Sequence, residues 1–427
     1  MLTLYSCLGY CFAPIALAMN LWRGLRDRSC WRALGERFGA GPRLPAGGLW
    51  VHAVSVGEVQ AALPLVRRLR ARYPGLPFLL TTSTPTGRAR AETLFGSEAT
   101  VAYLPYDLPI AAARFLDRTR PQVAVILETE LWPNLYRACA RRGIPVVLAS
   151  ARVSARSVSR YRWLGSLIPR TLANGVLIGA QSAVDAERFA VLGASRSRIH
   201  VVGNIKFDLE SPAGALAEGA QLREQIGRER AVWVAGSTHE HEEALLLDAH
   251  QTLSAQRPDA LLVLVPRHPP RFESVASLLE RRGFRFARRT RDTAAARDSG
   301  VLLVDTLGEL VAFYASGDVA FVGGSLVPIG GHNLLEPAAL GKPVLSGPYT
   351  ANAAGIAPLL RDAGALEIVA DAGALAARLG ALFADPPARA RAGESGRAVI
   401  AANRGALARL MALIEPLVRA ETALKPT

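Results

Sequence analysis

From Gly47 onward the chain alternates short apolar runs with amphipathic stretches, and the alternation is run through twice. The first set of expected strands covers residues 49–53, 78–82, 123–127, 146–149, 176–180 and 200–202, with helices such as 59–73, 86–95, 110–118, 131–142 and 183–192 between them. The second set covers 232–235, 261–265, 284–287, 301–304, 319–322, 343–346 and 366–369. Strands separated by helices predict a parallel sheet with helices on both faces. A chain of 427 residues is also too long for one ordinary core, and two domains, each on the order of 200 residues, are expected. The predicted fold class is therefore α/β, with two doubly wound units facing a cleft and ligands lying beyond the carboxyl ends of the strands. Residues 204–222 read as the connector, and the Ala/Leu/Arg-rich tail from 372 to about 418 has helical spacing without visible chemistry.

The stretch from Asp318 to Tyr349 carries the most information about a ligand. It runs from an apolar strand into a turn with Gly323, Gly324, Gly330 and Gly331, then a helix start near Asn333, then a second strand. Glycines let a ligand approach the main chain, and a helix N-terminus suits an anion such as a phosphate. His332, Asn333 and Glu336 are polar side chains among small and apolar neighbours, and Glu336 is placed to accept from a ribose hydroxyl.

Other polar clusters also follow expected strands. Ser55-Val-Gly-Glu58 puts a carboxylate in the first turn of a helix, where it reads either as a general base or as an acid answering the helix dipole. Glu128-Thr-Glu130 brings two acids to another strand end, and Lys206 is the candidate cation to answer them. Thr81 to Thr86 supply hydroxyls for binding or for helix capping. In Gly236-Ser-Thr-His-Glu-His241, Ser237 and Glu240 suggest a capping box. His239 and His241 stand two apart, so they do not share a helix face as metal ligands should. Arg267 with His268 and the Leu307-Gly-Glu-Leu310 turn are further anion candidates.

Residues 1–22 carry no charged side chain, and Arg23, Arg26, Arg28, Arg32 and Arg37 follow directly. The length is near the ~20 residues that cross a bilayer, although Pro14 and Asn20 make the span marginal. The order of charge and apolar run is not that of a cleaved signal, and basic residues after the run place the bulk of the chain on the cytoplasmic side. Lys plus Arg is 50 against 36 for Asp plus Glu, a formal charge of +14 that favours anionic partners. Cys7, Cys11, Cys30 and Cys139 show no zinc spacing and read as buried thiols in a reduced compartment.

Together these motifs resemble the bacterial transferases of 3-deoxy-D-manno-octulosonic acid (Kdo). The resemblance rests on Arg32 with Gly35-Glu-Arg-Phe38, Ser55-Val-Gly-Glu58, Leu104-Pro-Tyr-Asp-Leu108, Glu128-Thr-Glu-Leu-Trp-Pro-Asn134, Ala151-Arg-Val-Ser-Ala-Arg156, Gly203-Asn-Ile-Lys-Phe-Asp208, Gly236-Ser-Thr-His239, Pro266-Arg-His268 and Gly330-Gly-His-Asn-Leu-Leu-Glu-Pro337. It implies a GT-B fold: a membrane anchor and basic collar over 1–46, an acceptor-binding domain over 47–208 and a CMP-Kdo-binding domain over 209–427. It implies Glu58 as catalytic base and Glu128 and Lys206 as stabilisers of the transition state. The donor contacts it implies are Ser237, Thr238, Arg267, His268, the Gly308-Glu309-Leu310 turn, Gly331, Asn333, Leu334, Leu335 and Glu336. The acceptor would be the lipid A precursor, and anionic lipids of the inner membrane, on its cytoplasmic face, would be the surface partner. There is no Asp-x-Asp motif for a donor-bound cation, so no metal and no cofactor is expected. Leu334 stands where the family often has proline, and His241 where it often has glycine.

Two rivals make different predictions. Another GT-B nucleotide-sugar enzyme, such as a sugar-nucleotide 2-epimerase, would prefer a different nucleotide. A membrane-tethered nucleic-acid-binding protein would interleave aromatic and basic residues on one face, a pattern found only in the N-terminal collar.

Overall fold

The computed structural model describes residues 1–26, 31, 34–208 and 214–419. Arg28, Arg32, Cys30 and the Ser211-Pro212 part of the expected connector lie outside the described residues. Two compact units emerge. One comprises the residues up to Asp208 together with those from Arg404, and the other extends to Asn403.

The first unit is a seven-stranded parallel sheet in the order β3-β2-β1-β4-β5-β6-β7. Its strands are β1 (Gly48–His52), β2 (Phe78–Thr82), β3 (Thr100–Tyr103), β4 (Pro121–Leu127), β5 (Val146–Ala151), β6 (Leu177–Ala180) and β7 (Ile199–Val201). β1, β2, β4 and β5 are buried at nearly every position, as expected for strands covered by helices on both faces. Alternate residues feed two cores: Trp50, Leu79, Ile126 and Leu148 pack on one face, and Val51, Leu80, Val125 and Val147 on the other. β3 has no counterpart among the expected strands, because its first two residues are only half-buried at the sheet edge and give a weak pattern.

The second unit repeats the plan in the order β10-β11-β9-β8-β12-β13-β14. Its strands are β8 (Val232–Thr238), β9 (Leu261–Pro266), β10 (Phe286–Arg288), β11 (Val301–Leu303), β12 (Val319–Val322), β13 (Val344–Ser346) and β14 (Leu366–Ile368), all parallel. In each sheet the direction of strand addition reverses once, between β1 and β4 and between β8 and β12. A crevice opens outside the strand ends at such a reversal.

The expected bound of the second domain at 427 is corrected. Helix Ala406–Ile414 returns to the first unit, where Leu410, Met411 and Ile414 join the core beside Leu65 and Val123. Asp208 fixes the return: its carboxylate accepts from Gly405 N–H and Leu407 N–H, both at 2.6 Å. A carboxylate at a helix start satisfies amides that have no partner inside the helix. The tail otherwise forms helices Ala372–Ala384 and Pro386–Asn403, as its spacing suggested.

The N-terminal helix runs Leu2–Arg26 with Pro14 inside it. Its Leu2–Met19 part is long and apolar enough to cross a membrane, with mean hydropathy 1.6 and no residue buried. Cys139 is buried, as expected, but Cys7 and Cys11 are exposed on this helix; all three are free thiols.

Candidate active site

The first unit assembles acids at its reversal point. Glu58 follows β1, in the first turn of helix Val56–Arg72, and Glu128 follows β4. The Glu58 side chain folds back on its own turn: Oε2 accepts from Val54 N–H at 2.9 Å and Oε1 from the Ser55 hydroxyl at 3.4 Å. Burial raises its pKa from 4.5 to about 7. The Val54 hydrogen bond and Lys206 oppose the rise, while the carboxylates of Glu128 and Glu130 add to it.

Glu128 adopts φ +54°, a region non-glycine residues seldom enter, and its N–H donates to Ala149 O at 2.9 Å. Its carboxylate pairs with Lys206 Nζ at 2.8 Å, so the cation proposed from sequence to answer these acids is in place. Lys206 sits in a short 3-10 turn, Ile205–Phe207, capped by Asn204, whose Oδ1 accepts from Lys206 N–H at 3.0 Å. Glu130 was seen in the sequence only as the second acid of a pair. Burial, with Glu128 adding, lifts it to about 7 as well.

The second unit builds a loop instead. Beyond β12 the chain turns through Gly323 and Gly324. A Cβ on Gly323 would lie 2.7 Å from Ser237 O and 2.8 Å from Glu242 Oε2, and Gly324 has φ +68°, so glycine is required at both. The loop is held by Glu242, a fully buried carboxylate in the first turn of helix Glu242–Gln256. Glu242 accepts from Gly324 N–H at 2.7 Å, from Ser325 and Leu326 N–H at 2.9 Å, and from His239 N–H at 3.3 Å. Sequence reading passed over it, because an acid at a helix start ordinarily answers the dipole.

Three imidazoles lie beside this loop. His239 and His332 stack with ring centroids 5.0 Å apart and Nε2 atoms 2.7 Å apart, and His268 meets His239 edge-on at 5.3 Å. Burial, then His239 and Arg267, lowers His332 to about 3; burial and the neighbouring cations also lower His239. A neutral imidazole pair shares one proton between facing nitrogens, which the 2.7 Å contact requires.

The remaining residues expected to contact the donor are found as follows. Ser237, at φ +58°, and Thr238 end β8 and are buried, while Arg267 and His268 are exposed just past β9. Asn333 is exposed; its Oδ1 accepts from Leu335 N–H at 3.1 Å and its Nδ2 donates to Glu336 at 3.0 Å. Gly331 and Leu334 are buried in the approach to Leu335–Ala339, a helix of only five residues, and burial raises the Glu336 carboxyl. Gly308 is exposed at φ +90°. Glu309 next to it pairs with Arg289 at 2.7 Å, and Leu310 opens helix Leu310–Ser316.

The capping box expected of Ser237 and Glu240 does not form. Ser237 is still in the strand, the helix starts at Glu242, and Glu240 accepts from Arg271 at 2.9 Å. His241 precedes that helix at φ +68°, a conformation that glycine adopts more readily than histidine.

Two doubly wound parallel units, one with acids and the other with a glycine loop at the point where strand order reverses, make up a GT-B fold. A UDP-GlcNAc 2-epimerase from Neisseria meningitidis shares this fold at 13% identity, with TM-score 0.53 over 87% of this chain and 99% of that one. Residues 32–209 match the family described as 3-deoxy-D-manno-octulosonic-acid transferase (kdotransferase). The 3-deoxy-D-manno-octulosonic acid transferase of Haemophilus influenzae is 42% identical over 87% of each chain, and that of Bordetella pertussis 40% identical over 95% of this chain and 98% of its own. The chain belongs to the Kdo transferase family.

Proposed function

We propose that the protein moves Kdo from CMP-Kdo to a hydroxyl of the phosphorylated lipid A precursor, with inversion, in lipopolysaccharide assembly on the cytoplasmic face of the inner membrane. The observation that carries the reading is Glu58, held at a strand end with its carboxyl near 7 beside the Glu128–Lys206 pair. An alcohol is a poor nucleophile at neutral pH, and a base whose pKa lies near the working pH is the efficient partner for its proton.

In this mechanism the acceptor oxygen bonds to the anomeric carbon of Kdo as its proton passes to Glu58. The bond from that carbon to the phosphate oxygen breaks, and CMP leaves with the electron pair. Lys206 holds the Glu128 side chain in place through their 2.8 Å ion pair, so that the carboxylate stabilises positive charge developing on the sugar ring. In the second unit, Arg267 and main-chain amides of the Gly308–Leu310 and Gly331–Leu335 segments receive the departing phosphate. Ser237, Thr238, His268, Asn333 and Glu336 contact the rest of the donor. The lowered pKa of His332 supports its remaining neutral beside such an anion, leaving charge recognition to Arg267.

The test is incubation with CMP-Kdo and tetraacylated lipid A precursor, with products weighed by mass spectrometry. Glu58→Gln should slow transfer by roughly 10² to 10⁴ while CMP-Kdo still binds. Near-normal turnover of that variant removes Glu58 from the role. Calorimetric preference for UDP over CMP would point to another nucleotide sugar.

A further inference from the structure

The apolar N-terminal helix has two different long faces. Leu2, Tyr5, Ser6, Gly9, Ala13, Ala16 and Leu17 are its less exposed positions, recurring at helical spacing. Opposite them Leu4, Leu8, Phe12, Ile15, Met19 and Trp22 recur at spacings of three and four, each 49–62% exposed. The first face is tied to the globular unit. Ser6 Oγ donates to Asn134 Oδ1 at 2.9 Å, the Tyr5 hydroxyl bonds Asp107, and Tyr10 accepts from Ile110 N–H at 3.4 Å. A Cβ on Gly9 would come within 3.1 Å of Leu108.

The other end is tethered too. The 25 residues of the helix measure ~37 Å at the usual rise. After Arg26 the chain reaches Leu34 in eight residue steps, which span at most ~28 Å in any conformation. From Leu34 it is again on the unit: Glu36 accepts from Arg88 at 2.8 Å and from Tyr103 N–H at 2.7 Å. A helix fixed to the unit near Tyr5 and crossing a ~30 Å hydrocarbon layer would leave Arg26 on the far side. The return would need extended backbone through lipid, where its polar groups find no partner.

A second exposed element adjoins the helix. Trp163 is 88% and Leu164 40% exposed, and Gly165 beside them approaches Met1. Residues 151–184 around this tip contain Arg152, Arg156, Arg160, Arg162 and Arg170 and no acid. Aromatic and aliphatic tips flanked by arginines suit the headgroup level of an anionic bilayer.

We infer that the N-terminal helix is an in-plane anchor and not a span. Its Leu4–Trp22 stripe and the Trp163-Leu164 tip enter one leaflet of an anionic bilayer, and both helix ends stay on the side of the globular units. The inference rests on the proposed work at a membrane but fixes how the protein sits there.

The test uses full-length protein with its native cysteines replaced by alanine and single reporters at Leu2→Cys or Asp27→Cys. It is reconstituted on sealed vesicles containing phosphatidylglycerol and treated from outside with a membrane-impermeant maleimide. The inference predicts that both reporters are modified to the same extent as in detergent. Modification of one reporter, with the other protected until the vesicles are opened, overturns it and leaves the membrane reading intact. Failure to float with the vesicles at all overturns both. The paired variant Phe12→Glu with Ile15→Glu should weaken flotation at least tenfold while the protein stays folded by circular dichroism. Unchanged flotation would contradict the outer stripe as the contact.

Discussion

The two units share a sheet plan and use the point of strand reversal in opposite ways. The first places carboxyl groups there whose pKa is raised: Glu58 and Glu130 are both lifted to about 7 by burial and by their neighbours. The second places main chain there, through a glycine loop whose amides are pinned by Glu242 and beside which burial lowers the pKa of His239 and His332. The same fold therefore gives a titrating half and a fixed half. That contrast suits a reaction in which one partner must lose a proton and the other must hand over an anion.

Breaking the fixed half should have the largest effect. Glu242→Leu strands four main-chain N–H groups, each worth about 1–3 kcal/mol if left buried without a partner. The melting temperature of the second unit should fall by roughly 10 °C or more. Glu242→Gln, which keeps one accepting oxygen, should fall less, and equal Tm values by calorimetry would contradict the pinning.

In the titrating half, Lys206→Met removes the partner of Glu128 without unfolding the sheet, since the pair is partly exposed. Transfer should slow roughly 10- to 100-fold with little change in Tm. A normal rate would mean the pair is only a surface contact.

A smaller effect sharpens the contrast from the side of stability. The folded-state pKa of Glu58 lies above its unfolded value, so the folded protein binds this proton more tightly than the unfolded chain. The resulting stability is present below about 4.5 and lost as pH rises through about 7. Glu58→Gln should therefore raise Tm by about 2 °C at pH 8 and leave it unchanged at pH 4.5. A gain of the same size at both pH values would mean that it does not come from the proton.

The sequence made most of this plan readable because buried parallel strands are short, continuous apolar runs, and polar residues directly after them stand out. Glu58, Glu128, Lys206 and the glycines of the loop were all visible in that way. The remainder depends on contacts between distant residues. Glu242 resembles a dipole-compensating acid until the loop at Gly324, 82 positions away, is folded against it. Ser237 resembles a cap because Glu240 follows at the right spacing, yet the strand extends through it. The tail has helical spacing wherever it packs, and only Asp208 shows that its last helix returns to the first unit.

The pH dependence of kcat/KM for transfer tests the account most directly. It should fall about tenfold per pH unit below an apparent pKa near 7, a limb that is lost in Glu58→Gln and is kept, moved to lower pH, in Glu130→Gln because the Glu130 charge helps to raise Glu58. A flat profile from pH 5 to 8, or a limb that survives Glu58→Gln, would contradict the assignment of the base.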